Sequence, residues 1–224
     1  MFLINEISNA QHIEGLSLVN DRQALYVVIE SNQKDPKEYE ARILSKLLLS
    51  SLNASSSDNS EPDIVNLARE MADDLERRVE QGGYPTGVFY SGVSLQRQQI
   101  KVCTAGDIRV HLIQQDKLIG VTRDHNLLSD GEAQQAEVLK GLPIELLCNT
   151  PTRWVGNRCK LRPETLTWDI EGPYSVVLCT SQFHRYRNPE EYLPFFRDGI
   201  AGLRAVNSAG AWLACQIDSV IKSQ

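Results

Sequence analysis

Side chains able to do chemistry sit at a handful of places in this chain. A run of strand-forming residues, Val27-Val28-Ile29, ends in Glu30-Ser31 and so sets one carboxylate at a strand end. Read from the residues alone, Glu30 is a surface or loop carboxylate. Further on, a turn Ala105-Gly106-Asp107-Ile108-Arg109 precedes the stretch Val121-Thr122-Arg123-Asp124-His125. An imidazole in that stretch has an ordinary pKa suited to a general base. Asp and Arg in a turn, however, commonly fix it through side chain to backbone bonds, and Asp124 or Asn126 can hold backbone N–H groups where a strand passes into a helix. Asp107, Arg109 and His125 are therefore read as structural, and no catalytic residue is assigned. His184 stands between Phe183 and Arg185 with no histidine or acid beside it to complete a metal site. The chain also shows no nucleophile-base pair and no glycine-rich phosphate loop.

Composition narrows the class. At 224 residues the chain is long enough to bury a core as a single domain, residues 1–224. No apolar run approaches the ~18 residues of a membrane span, and the first residues lack the basic start and long apolar stretch of a secretion signal. A cytoplasmic protein is expected. A net charge of −6 offers no basic surface for phosphate backbones, so neither nucleic acid nor membrane is expected as a partner. The cysteines Cys103, Cys148, Cys159, Cys179 and Cys215 are odd in number and lack C-x-x-C spacing, which argues against a disulfide framework or zinc cluster. Cys103, Cys179 and Cys215 lie in apolar runs and read as small buried hydrophobes.

The elements that must position these residues follow from periodicity. Residues 25–29 suit a buried strand, and helical spacing recurs over 37–52. After a small polar loop at 54–60, a helix is expected, capped by Ser60, with Pro62 and Asp63 in its opening turn and Gly82-Gly83 stopping it. Its apolar face carries Ile64, Leu67, Ala68, Met71, Leu75 and Val79. Strands at 87–93, 100–104, 108–113 and 117–121, joined by short turns, predict an antiparallel meander. Alternation sends Ile108, Val110 and Leu112 inward and Arg109 to the other face. A helix from Ser129 to a stop at Gly141, a hairpin of 165–170 with 174–180 around Glu171-Gly172-Pro173, a helix opening at Asn188-Pro189 and a strand at 211–220 complete the pattern. Strands apolar on both faces, together with paired helices, predict an α+β fold of two packed antiparallel sheets flanked by helices.

The central segment resembles the metal-dependent protein phosphatase 2C family, whose members carry a Gly-Asp-Ser-Arg turn and then Leu-Thr-Arg-Asp-His. Tyr84-Pro85-Thr86-Gly87-Val88 resembles the family's Gly-Thr-Thr strand entry. Thr150 to Gly156 is similar to its Leu-Thr-Arg-Ala-Leu-Gly, and Val176 to Gln182 to its Leu-Leu-Leu-Cys-Ser-Asp-Gly. The resemblance implies a four-layer α-β-β-α sandwich. It also implies hydrolysis of phosphoserine and phosphothreonine by two Mg²⁺ or Mn²⁺ ions about 4 Å apart that activate a shared water.

The same resemblance shows what this chain lacks. The family's first Asp-Gly falls on Glu30-Ser31, its Ser-Asp-Gly aspartate on Ser181, and its final Asp-Asn on Ser208-Ala209-Gly210. Its N-terminal Arg-x-x-Asn-Glu-Asp element has no counterpart in 12–23. The expectation is an inactive, pseudophosphatase-like domain with no cofactor, acting as a regulatory module that binds a protein partner such as a kinase or phosphoprotein. The alternative is a divergent serine/threonine phosphatase using Mg or Mn, with Glu30 joined by Asp21 or Asp218.

Overall fold

The computed structural model describes residues 2–8, 13–19, 24–31, 63–81, 87–96, 98–130, 137–156, 163–184, 194 and 213–219. In chain order the strands are β1 (Phe2–Ser8), β2 (Ile13–Val19), β3 (Ala24–Ser31), β4 (Gly87–Leu95), β5 (Gln99–Ala105), β6 (Arg109–Gln114), β7 (Lys117–Val121), β8 (Val155–Gly156), β9 (Glu164–Asp169), β10 (Ser175–Cys179) and β11 (Leu213–Ser219). The helices are α1 (Ile64–Glu80), α2 (Ile144–Cys148) and α3 (Ser181–His184). One sheet runs β1-β11-β10-β6-β7 and the other β2-β3-β4-β5-β9, with β8 paired to β4. All pairings are antiparallel.

Strand alternation builds two cores from these sheets. On β3, Ala24, Tyr26 and Val28 face the other sheet and pack with Ile108, Val110, Leu112, Val176, Leu178 and Ile217. The intervening Leu25, Val27 and Ile29 turn outward onto α1, meeting Leu67, Met71 and Leu75. The central strands of the β2-β3-β4-β5-β9 sheet are thus apolar on both faces, as the sequence pattern predicted, because one face meets the other sheet and the other meets α1. Cys103, Cys179 and Cys215 are fully buried in this framework. Burial pushes the Cys103 thiol up to about 12 and the Cys179 thiol well up, so both remain neutral small hydrophobes.

Several connections differ from the expected ones. The meander over 87–121 is broken: β4 pairs β5 and β6 pairs β7, but β5 and β6 belong to different sheets. The chain steps between sheets at Gly106-Asp107, where Gly106 has φ +110 and Phe89 packs so closely that a Cβ there would lie 2.3 Å from Cδ1 of its ring. The predicted hairpin around Glu171-Gly172-Pro173 is likewise a step between β9 and β10, in opposite sheets. The β6–β7 connection is a true two-residue hairpin, with Gln115 and Asp116 both left-handed at φ 50 and 60.

The ends of elements shift too. Strands β1 and β2 form sheet edges that the periodicity reading had not marked. Helix α1 is capped by Asp63, whose Oδ1 accepts from Val65 N–H at 2.9 Å, rather than by Ser60. Asn126 caps the turn that follows β7, its Oδ1 accepting from Ser129 N–H at 3.0 Å, while most of the helix expected from Ser129, residues 131–136, lies outside the described residues. The helix expected at 37–52, the Gly82-Gly83 stop and, apart from the helical Pro194, the helix expected from Asn188 lie outside the described residues.

Val110 is fully buried between the sheets while its neighbour Arg109 faces the other way. Val110→Asp is expected to cost about 3–5 kcal/mol by burying an unpaired charge, a large share of the stability of an ordinary domain. Gly106→Ala should lose about 1–3 kcal/mol from backbone strain alone, with the Phe89 overlap added. Urea melts of both variants check these values.

Candidate functional site

One end of the sandwich collects the residues singled out from sequence. The C-terminal end of β3 delivers Glu30, the crossover after β5 delivers Asp107, the exit from β7 delivers Thr122 to Asn126, and α3 delivers Ser181 and His184. These segments are joined because strand ends and inter-sheet steps meet there. Their polar side chains must find partners inside the fold.

The exit from β7 is bound to the crossover residue by residue. Thr122 Oγ1 accepts from Val110 N–H at 2.9 Å, and Thr122 N–H donates to Val110 O at 3.0 Å, extending the ladder past the strand. Asp124 takes a two-point bond from Arg109, Nε and an Nη each 2.7 Å from a carboxylate oxygen. His125 Nδ1 accepts from Gly106 N–H at 3.1 Å, while its Nε2 lies 2.9 Å from Glu164 Oε2 on β9. Asn126 Nδ2 reaches Asp107 Oδ2 at 3.5 Å. Arg109 and His125 act through partners distant in the chain rather than through local turn bonds.

His184 changes character in the fold. Sequence showed no partner beside it, but its buried ring donates from Nε2 to Asp107 O at 2.7 Å and lies 4.0 Å from Asp124 Oδ1. Burial alone would push Asp124 up; the Arg109 bonds and the positive groups around it hold its carboxyl below the usual range instead. A second histidine escaped the sequence reading altogether. His111 follows Val110 on β6, is fully buried on the outer face of its sheet, and is pushed down to about 3 by burial, then by His184 and Arg109. Its flanking apolar residues gave the only signal, since a histidine in such a run must be buried or interrupt it.

Glu30 is not a surface or loop carboxylate. It lies within β3, opposite Ile13 and Phe89, and is 6% exposed. It occupies the inward face because it follows Ala24, Tyr26 and Val28 in the period of two. Asp218, named as a possible completing acid, lies at the far end of β10 and β11, where it accepts from Ser175 and Gln216. Asp21 and Ser208-Ala209-Gly210 fall outside the described residues.

The donor set was tested against a two-ion centre. Hard cations need several oxygen ligands converging on one point. Among the described residues no three of His, Cys, Asp and Glu gather in that way. Ser181 presents a buried hydroxyl, Asp124 is committed to Arg109, and Glu30 supplies one carboxylate. The described residues do not fit a two-metal site.

No family model matches the sequence, and no curated protein matches it. Solved structures do. The serine/threonine phosphatase of S. agalactiae superposes with a TM-score of 0.71 at 14% identity, covering 97% of this chain and 99% of that one. Serine/threonine phosphatase Stp1 from Staphylococcus aureus gives 0.72 at 14% identity, covering 99% and 96%. The serine/threonine phosphatase PstP/Ppp of Mycobacterium tuberculosis gives 0.66 at 12%, covering 98% of each. The chain therefore has the protein phosphatase 2C-like fold, and the expected sandwich of two antiparallel sheets is the observed one.

Arg109 is less dispensable than a residue on a solvent-facing strand surface. Arg109→Ala would leave the 10% exposed Asp124 carboxylate without its fork, a loss expected at about 2–3 kcal/mol. Arg109→Lys should recover part of it, because an ammonium restores charge but not the bidentate geometry. Asp124 has a depressed folded pKa, so the pair's contribution is present above the ordinary 3.8 and lost as pH falls through the lower folded value. Melts of wild type and Arg109→Ala should converge below that window.

Proposed function

We propose that this chain is a catalytically inactive protein phosphatase 2C-like domain, located in the cytoplasm, that serves as a regulatory or protein-binding module for a kinase or a phosphoprotein. The observation that carries the reading is the bonding of the signature segment. His125 and Asn126 hold the crossover between sheets, while Thr122 and the Arg109–Asp124 pair tie the exit from β7 to β6. Their presence is accounted for by folding alone, and it needs no reaction to explain it.

The chemistry of the site supports the same reading. Activation of water by a pair of ions depends on carboxylates at several converging positions. The position that resembles the family's second aspartate is Ser181, whose neutral hydroxyl is a weak ligand for a hard cation. Among the described residues no helix is long and apolar enough to cross a membrane. A second reading, a divergent Mg- or Mn-dependent phosphatase, is favoured by one observation: Glu30 is a buried carboxylate at this end of the sandwich.

Assay of the purified chain separates the two. With Mn²⁺ or Mg²⁺, neither p-nitrophenyl phosphate nor phosphopeptides should be hydrolysed above background. Ser181→Asp alone should not create activity, since a two-metal site needs several ligands placed together. Metal-dependent turnover that vanishes in Glu30→Gln would overturn the inactive reading.

A further inference from the structure

His125 is held in a geometry that only its neutral form can make. Gly106 N–H points at Nδ1, so that nitrogen must carry a lone pair. The ring proton is then on Nε2, which donates to Glu164 Oε2. An imidazolium has two donors and no acceptor, so protonation sets an N–H against an N–H at Gly106. The backbone of the same residue adds to the clamp: His125 N–H donates to Gly106 O at 3.2 Å, and Thr152 N–H donates to His125 O at 2.8 Å.

We propose that His125 is a pH-operated latch on the step between the two sheets: neutral, it closes the Gly106-Asp107 crossover onto residues 122–126, and protonated, it releases that crossover and loosens this end of the sandwich. The inference is independent of whether the domain is catalytic. Charged groups face the ring from each neighbouring segment. Glu164 on β9 favours the protonated ring, whereas Arg153 and Arg123 oppose it. Asp107 and Asp124, on the crossover and on the exit itself, are engaged with Asn126 and Arg109.

The direction of the response follows from burial. Desolvation lowers the pKa of His125 below its ordinary 6.5, and the Glu164 bond only partly offsets it. The folded state thus binds fewer protons than the unfolded one. Closure is complete above about 6.5 and is lost as pH falls toward the folded value. His111 titrates with the same sign, pushed down to about 3, but it lies within β6, opposite Val177 of β10. A local readout at Gly106 therefore separates the two histidines.

Amide hydrogen exchange and ring-nitrogen NMR of the full chain, from pH about 7.5 to about 5, test this across the ordinary imidazole range. Protection factors at Gly106 and at 123–126 should fall at least about tenfold relative to β4 as His125 protonates, since local opening is cheaper than global unfolding. In His125→Gln, whose amide oxygen can still accept from Gly106, that fall should be absent. Glu164→Gln removes the charge that favours protonation, so it should move the midpoint to lower pH. A ring that stays neutral until the whole protein unfolds would overturn the proposal. So would a ring that protonates while Gly106 remains as protected as β4. Should His125→Gln not fold, Glu164→Gln decides, and an unchanged midpoint there would equally overturn it.

Discussion

The step of the chain from one sheet to the other at Gly106 is the constraint on which this end of the molecule depends. Two sheets packed face to face require a connection that leaves one hydrogen-bonded plane and enters the next within a few residues. That connection exposes backbone groups that neither ladder can satisfy. Here the exit from β7 supplies the missing partners. It returns past the crossover, pairs Asp124 with Arg109 at the start of β6, and meets the crossover itself with His125 and Asn126. Glu164 then ties the same histidine to the edge strand of the opposite sheet.

Tight packing makes this arrangement specific. Phe89 lies against Gly106 where any side chain would collide, and the glycine adopts a backbone angle that other residues rarely take. The ion pair of Arg109 with Asp124 is only partly exposed, so its value lies less in net stability than in geometry. A planar fork accepts a carboxylate in one orientation, which fixes where the exit runs relative to β6. His111 and His184, both buried on the same side, stand beside this pair and add to the electrostatics around Asp124.

Much of this was legible in the residues, for identifiable reasons. Ile108, Val110 and Leu112 alternate with polar or half-buried neighbours, and a period of two fixes their face whatever the connection beyond. The stripe from Ile64 to Leu75 gave α1 for the same reason at helical period. What stayed hidden was partnership. Gly106-Asp107 and Glu171-Gly172-Pro173 have the composition of hairpin turns, and whether the next strand joins the same sheet is decided by packing, not by the turn. The cap of α1 moved from Ser60 to Asp63 because both are good caps and local sequence ranks them equally. Glu30 looked like a surface residue because carboxylates usually are. Its burial follows from position in the alternation, which carries it inward after Tyr26 and Val28.

The bonding of the signature segment bears on how such a motif should be weighed as evidence of activity. A turn and exit that match an enzyme family are commonly taken as a sign of its chemistry. In this chain several side chains of the segment have a folding role that geometry specifies: Arg109 orients Asp124, Thr122 extends a ladder, His125 satisfies Gly106, and Asn126 caps a turn. Selection for the fold alone would hold these residues in place. Converging carboxylates are the further demand that activation of water by metal ions would make, and outside the segment this end of the sandwich carries Ser181 and a single buried glutamate, Glu30, among the described residues. A likeness in fold therefore leaves the chemistry to be argued from its own ligands.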